Sequence, residues 1–375
     1  MPGFEIIGEE ERLAVNQIFR DGGVLFAHGF DKKRKNFHVR EFEINVSNYF
    51  DCKFSLAVSS GTAAIKIALM ALGIRPGDEV ITQGFNFIAT IEAILDCGAI
   101  PIIANVDKSL NMDPQDCESL ITNKTKVILP VHMLGVPADM YTIMKIAEKH
   151  KLKVLEDNCE SVGGKYNDKF LGCIGDVGVF SYDYGKVITC GEGGMVVTNS
   201  SSIDKYSREY HDHGHENNPK YPRGQDTKTI YGFNYRMTEL QGAIGKEQLK
   251  KLDFILEENE KRYNALLKYV PDNVLLRKIP KGSKPVYDTL IFFVENEEIK
   301  KKYINILTKE MFGTKNLPDA IEWHCSAFWD HALNKKTILR TKKTKKILER
   351  SIAIPIWLSK SVVEYSELGK KLFHN

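Results

Sequence analysis

From about Ser55 to Thr198, short apolar runs alternate with longer stretches whose apolar residues recur at helical spacing, the pattern of parallel strands joined by crossover helices. Strands are predicted near Ser55–Ser59, Glu79–Gln83, Ile100–Val106, Lys126–Val131, Lys153–Glu156, Val177–Ser181 and Met195–Thr198, with helices near Thr62–Leu72, Ile88–Asp96 and Ala138–His150. The punctuation agrees. Pro76-Gly77-Asp78 breaks the chain before one strand and Gly98 before another, and Pro137 opens a helix where its missing N–H does no harm. Between Met237 and Tyr269, Leu240, Ile244, Leu249, Leu252, Ile255 and Leu256 recur at roughly helical spacing and predict one long amphipathic helix. Beyond Pro271 the texture changes to a strand-like Thr289–Val294, a basic helix around Ile299–Lys309 and an Ile352–Leu358 run, which reads as a smaller α+β unit. The expected organisation is a large α/β domain over residues 1–245, N-terminal arm included, followed by a linker helix and a small C-terminal α+β domain over 246–375. The central sheet is expected to be mainly parallel, with helices on both faces.

Composition narrows the function. Lys and Arg total 52 against 49 Asp and Glu, and a formal charge of +3 is too small to recruit nucleic acid or an anionic membrane by electrostatics alone. The basic stretch Lys335–Lys346 lacks the interleaved aromatics of a nucleic-acid platform and reads as a solvated surface. Seven cysteines are scattered without a CxxC pair, so neither a disulfide framework nor a zinc knuckle is indicated and a reducing cytoplasm fits. The opening MPGFEIIGEEERLAVNQIF carries acids early and no long apolar run, so the expectation is a protein neither exported nor anchored in a membrane.

The most informative segment runs from Leu155 to Gly194, LEDNCESVGGKYNDKFLGCIGDVGVFSYDYGKVITCGEGG. Asp157 follows an apolar strand, and the carboxyl ends of parallel strands are where α/β folds place ligands; an aspartate there can keep a ring nitrogen protonated. Lys186 lies on a loop between two strands, where an amine in a pocket can form an imine with an aldehyde. Ser60-Gly61-Thr62, at a strand-to-helix junction, offers N–H groups and hydroxyls to a phosphate, and Ser181 adds a further donor. Singly, each has a plainer reading: Asp157 as a cap or turn residue, Lys186 as a surface lysine, SGT as a capping sequence. Together they meet the requirements of pyridoxal 5′-phosphate.

On these residues, and on SSGTAAIKIALMALGIRPGDEVITQGFNFIATIEAI, PVHMLG, SYDYGKVITCGEGGMVVTN and GFNYRMTELQGAIG, the chain resembles the DegT/DnrJ/EryC1/StrS sugar aminotransferases, a branch of the fold type I pyridoxal-phosphate enzymes. The likeness covers nearly the whole chain. It implies that Lys186 is the Schiff-base lysine, Asp157 the partner of the pyridine nitrogen and Phe87 the aromatic stacked on the ring. Gly61, Thr62 and Ser181 then match the family's phosphate contacts, beside the Ser60 read from the helix start. Asn234 resembles the asparagine that reaches the cofactor phosphate across a dimer interface, with Arg236 its motif neighbour, so the resemblance also implies a homodimer with shared active sites. The implied reaction moves an amino group, from L-glutamate by family habit, to a carbonyl of a sugar-type acceptor. MPGFE, KVITCGEGG, DHGHEN and WHCSAFWDH are similar to the branch that makes 8-amino-3,8-dideoxy-manno-octulosonate. The segment Lys281–Asn334 differs from that branch and leaves room for another acceptor, such as the small phosphorylated ketone dihydroxyacetone phosphate.

Two departures stand out. Glu160 occupies the place where the family often has Gln or His, bringing an extra negative charge near the cofactor's ring hydroxyl. The lysine loop reads SYDYGKVIT rather than the commoner SFxPxKxLT. Retention of the lysine argues against the dehydratase branch, which has His there. In His211-Asp212-His213-Gly214-His215, alternating side chains on an extended chain would point one way. A metal site is conceivable there but lacks a second ligand cluster, so the expectation is no metal, with His213 on a substrate-contacting loop. His132, at a strand end in PVHMLG, is a weaker substrate candidate beside a packed-core reading. Trp323, His324 and Trp329 either line an entrance, with His324 touching substrate, or belong to the C-terminal core. The rival class, a non-catalytic dinucleotide-binding or regulatory α/β protein, lacks a GxGxxG after the first strand and an acid about twenty residues further on.

Overall fold

A computed structural model describes residues 3–218 and 220–374. Met1 and Pro2 of the MPGFE segment lie outside them. A short turn at Gly3–Ile6 leads to helices α1 (Glu9–Arg20) and α2 (His38–Phe50). Alternation then begins: β1 (Phe54–Val58), α3 (Gly61–Ala71), β2 (Glu79–Gln83), α4 (Ala89–Asp96), β3 (Ile100–Ala104), α5 (Pro114–Ser119), β4 (Thr125–Ile128), α6 (Met140–His150) and β5 (Lys153–Asp157). A small hairpin, β6 (Lys165–Tyr166) and β7 (Lys169–Phe170), precedes β8 (Val177–Ser181), β9 (Gly194–Thr198) and α7 (Ser201–Tyr210). The rest of the chain forms α8 (Glu239–Lys250), α9 (Leu252–Leu267), β10 (Ser283–Lys284), β11 (Thr289–Phe293), α10 (Glu297–Lys309), α11 (Ile321–His324), α12 (Lys335–Arg340), α13 (Lys342–Glu349), β12 (Ser351–Pro355) and α14 (Val362–Phe373).

Seven strands form one sheet in the order β1-β9-β8-β5-β4-β2-β3, in which every pair is parallel except the two made by β9. Strand alternation sends neighbouring side chains to opposite faces, and both faces are covered. Leu56, Val58, Val177, Val179 and Val196 pack with Ala64, Ile65 and Ala68 of α3. Their neighbours Ala57, Phe180, Met195 and Val197 pack with Phe42 and Val46 of α2 and with Leu252 and Ile255 of α9. A separate cluster gathers Leu266, Leu290, Phe292, Leu307, Ile354 and Leu368 around the β11–β12 pair.

The single helix expected over Met237–Tyr269 is two helices, α8 and α9, broken at Lys251, which has φ −91° and ψ −5°. The apolar spacing continues almost in phase through the break and therefore hides it. Lys251 turns there to donate from Nζ to the Ile6 carbonyl at 2.8 Å and to the Glu11 carboxylate. Helix α8 runs without interruption through residue 245, where a unit boundary was expected. The basic stretch Lys335–Lys346 forms α12 and α13, with most of its lysines exposed and Thr344 and Leu348 buried beneath. Arg340 and Lys343 of that stretch reach Asp116 and Asp113 near α5. Among the described residues, no helix is long and apolar enough to cross a membrane.

Candidate active site

At the carboxyl ends of β1, β5 and β8 lies a cleft of about 430 Å³. Its walls bring together Ser60, Gly61, Thr62, Phe87, Asp157, Glu160, Ser181 and Lys186, with His324 from the C-terminal part of the chain. A larger hollow of about 540 Å³ beside Arg208 and Ser55 holds none of these groups.

Asp157 is the last residue of β5, and strand alternation separates its role from that of Glu156. Glu156 points away from the cleft and is fully buried, accepting from the N–H groups of Gly172 (3.0 Å), Ile174 (2.6 Å) and Gly175 (2.7 Å). Asp157 faces the cleft floor, where Oδ2 accepts from the Thr90 hydroxyl at 2.9 Å and Oδ1 from the Cys159 N–H at 3.1 Å. These two bonds fix the carboxylate in one orientation.

Ser60, Gly61 and Thr62 bring the N-terminus of α3 to the cleft wall. Ser60 is its N-cap, with Oγ accepting from the Ala63 N–H at 3.1 Å, and helix geometry leaves the N–H groups of Gly61 and Thr62 without intrahelical partners. Gly61 is required by close approach: a Cβ there would stand 2.9 Å from Ser181 Cβ and 3.2 Å from Cys159 Sγ. The Ser181 hydroxyl accepts from the Asp183 N–H at 3.3 Å, leaving its own O–H to donate toward the cleft. The Phe87 ring is 45% exposed and so presents a bare face to the cleft; it lies 5.5 Å from the His324 ring, centroid to centroid.

Lys186 rises from the loop between β8 and β9 and forms an ion pair with Glu160, both side chains largely shielded from water. Burial alone would lower the lysine's proton affinity, but the Glu160 carboxylate outweighs it and holds the ammonium above the ordinary lysine range. Burial likewise opposes ionisation of Glu160, yet Lys186 and Lys315 together bring its pKa down to about 2. The second carboxylate oxygen, Oε2, is buried without a hydrogen-bond partner.

His324 is placed by backbone ties between two distant segments: Asn86 N–H donates to the His324 carbonyl at 3.1 Å and Ser326 N–H to that of Gly84 at 3.0 Å. Its Nδ1 bonds the Ala320 carbonyl at 2.8 Å, and burial, the largest influence, lowers its proton affinity. Trp329 is core, packed with Ile88, Ile91 and Ile103, while Trp323 is exposed and neither lines the cleft.

The other substrate candidates are not in the cleft of their own chain. His132 is fully buried, with Nδ1 accepting from the Ala138 N–H at 3.0 Å and Nε2 donating to Glu156 at 3.1 Å; it braces the back of β5. The 211–215 segment is a turn after α7 rather than an extended run, so its histidines diverge. His211 bonds the Arg208 carbonyl, His213 is exposed at φ +54°, and His215 meets Asp226 at 3.2 Å. Among the described residues, no group of three or more His, Cys, Asp or Glu could hold a metal ion. Asn234 is exposed, and Arg236 is paired with Asp212 at 2.6 Å. Sequence reasoning missed Thr90, Cys159 and Asn316 in the cleft wall and Lys315 close behind it. Thr90 had a signal, standing three residues after Phe87 where a helix begins. Asn316, at φ +64° and far along the chain, had none.

These side chains suit an anionic, planar, aldehyde-bearing group: a helix N-terminus for a phosphate, a bare aromatic face for a ring, a fixed carboxylate and an amine. Residues 9–367 match the DegT/DnrJ/EryC1/StrS aminotransferase family, and the chain belongs to it. Among its relatives, the GDP-perosamine synthase of Caulobacter vibrioides is 40% identical over 224 residues, 60% of this chain and 59% of that one, so the alignment spans less than two thirds of the relative. The spore coat polysaccharide biosynthesis protein SpsC of Bacillus subtilis is 34% identical, covering 71% of this chain and 68% of that one. Among solved structures, NtdA from Bacillus subtilis with bound cofactor PMP superposes with a TM-score of 0.81 at 29% identity, over 98% of this chain and 82% of that one. The cofactor of this fold and family is pyridoxal 5′-phosphate.

Proposed function

We propose that this protein transfers an amino group from an amino-acid donor, L-glutamate, to a carbonyl carbon of a sugar or sugar-derived acceptor in surface polysaccharide biosynthesis, working in the cytoplasm as a homodimer with shared active sites. The observation that carries the reading is that Lys186, Asp157, Phe87 and the N-terminus of α3 converge on one cleft. The relatives' names supply the sugar and polysaccharide setting.

When bound, pyridoxal 5′-phosphate supplies a carbonyl that can hold an amino group in transit and a ring that takes up an electron pair. Lys186 Nζ would anchor the aldehyde covalently and, as a free amine, would serve as the base that moves a proton at the substrate carbon. Asp157, oriented by Thr90 and by the Cys159 N–H, keeps the ring nitrogen protonated. Gly61, Thr62 and Ser181 would hold the phosphate, and Phe87 would lie against the ring. Asn234 faces outward beside Tyr231 and Phe233, which are 71% and 44% exposed; this favours a second copy as the one whose cofactor it reaches.

Glutamate should convert the cofactor of the purified protein to its amine form. Sugar aldehydes, including octulosonate-type sugars, nucleotide ketosugars and triose phosphates such as dihydroxyacetone phosphate are then screened for return of the original spectrum. The Lys186→Ala variant should lose both the band of covalently held cofactor and turnover, the latter by at least roughly 10²–10⁴-fold. An unchanged band in that variant rejects the assignment.

A further inference from the structure

We propose that the N-terminal strap Gly3–Glu5 is a positioning element for Lys186, tying the loop that carries the lysine to the C-terminal segment at Trp357–Ser359. The proposal rests on the reading of Lys186 as the cofactor-bonding lysine.

The loop needs outside support. Gly185 immediately precedes Lys186 and no proline stiffens the run from Asp183 to Gly193, so its backbone has more freedom than a proline-bearing loop of the same length. Its internal ties near the lysine are the Lys186 N–H to the Asp183 carbonyl and the Gly185 N–H to the Asp183 carboxylate, each at 3.0 Å. Reaction at Nζ demands placement to within a fraction of an ångström, which such a turn does not secure alone.

The strap supplies that support from three directions. Gly3 N–H donates to the Lys186 carbonyl at 3.3 Å. A Cβ on Gly3 would stand 2.7 Å from that carbonyl and 2.9 Å from that of Val187, so this closeness of two backbones requires glycine. The Phe4 ring stacks on Tyr184 of the loop, centroids 4.9 Å apart and planes 18° off parallel, and meets Trp357 edge-on at 6.2 Å. The Glu5 carboxylate accepts from the N–H groups of Leu358 and Ser359 at 2.9 Å each. The far shoulder of the loop is tied to the same arm: Thr189 N–H donates to Gln248 Oε1 at 3.3 Å, and Gln248 Nε2 donates to Glu11 at 2.9 Å. Both ends of the lysine loop thus hang from the first dozen residues of the chain.

The test uses the full chain with Phe4→Ala, Phe4→Tyr and, as a control destabilised elsewhere, Leu372→Ala in the C-terminal core. Two readouts are taken: backbone hydrogen exchange over 183–190 in cofactor-free protein, and the rate at which added pyridoxal phosphate becomes fixable to Lys186 by borohydride. The expected result for Phe4→Ala is faster exchange over 183–190 and cofactor attachment slowed at least about tenfold, with Phe4→Tyr restoring both. Wild-type exchange and attachment in Phe4→Ala overturn the proposal. So does an equal change in Leu372→Ala, which marks the effect as general loosening. If the wild-type protein never attaches the cofactor, the reading of Lys186 fails, while the exchange measurement still decides the strap.

Discussion

The ammonium of Lys186 and the carboxylate of Glu160 are paired inside the cleft, each drawing the other toward its charged form. The pair works against cofactor capture, because attack on an aldehyde needs the neutral amine. Replacing Glu160 by Gln removes the negative charge that keeps Lys186 protonated, so the lysine's proton affinity falls toward what burial alone would give. In the cofactor-free protein, Glu160→Gln should therefore shift the pH dependence of cofactor attachment to lower pH and speed attachment near neutrality. Stopped-flow absorbance over a pH series checks this; an unchanged midpoint would mean that Glu160 does not govern the lysine.

The same pair sets an acid limit on the stability of the cofactor-free protein. Glu160 is depressed from an ordinary 4.5 to about 2, so its stabilising share is present above 4.5 and is lost as pH falls from there toward 2. Lys186 is raised above its ordinary 10.5, so its share is intact below that value and is lost at more alkaline pH. The melting temperature of wild type should drop between pH 4.5 and 2 more steeply than that of Glu160→Gln, which lacks the titrating carboxylate. Parallel melting curves for the two proteins across that range would contradict the assignment.

Much of this site was legible because its parts sit at the ends of strongly patterned elements. The edges of β2 and β8 follow from apolar runs bounded by turn residues, and Asp157, Ser181 and Lys186 take their positions from the strand ends that precede them. What the pattern could not carry is tertiary. Lys315 and Asn316 enter the neighbourhood of the cleft because Lys315 N–H pairs with the Ala353 carbonyl on β12, a contact no local spacing encodes. The break at Lys251 was invisible because apolar periodicity continues through it. The 211–215 segment does not present its histidines to one side, because its turn, with His213 at φ +54° and Gly214 at φ +82°, removes the alternation an extended strand would have.

Thr90 offers a way to perturb Asp157 without removing its charge. The hydroxyl donates to Asp157 Oδ2 at 2.9 Å in a buried setting, and a hydrogen bond to a charged acceptor contributes about 1.5–3 kcal/mol. Thr90→Val keeps the shape and deletes the donor, so the carboxylate is less firmly aimed at the ring nitrogen. Cofactor affinity should fall roughly tenfold or more, while the melting temperature of the cofactor-free protein falls by only a few degrees, as loss of one buried hydrogen bond requires. Fluorescence titration with pyridoxal phosphate measures the first and thermal unfolding the second.

His132 separates a structural reading from a catalytic one. The ring is wedged between the Ala138 N–H and the Glu156 carboxylate, and Glu156 in turn holds the N–H groups of Gly172, Ile174 and Gly175 behind the strand that carries Asp157. His132→Ala leaves the buried Ala138 N–H without a partner, a loss of about 1–3 kcal/mol, takes one of two donors from Glu156 Oε2, which keeps the Gly172 N–H, and opens a cavity besides. The variant should melt well below wild type and keep, at a temperature where it is folded, a KM for the acceptor within about twofold of wild type. A large rise in KM at unchanged stability would instead place the ring in contact with substrate, against the geometry that buries it.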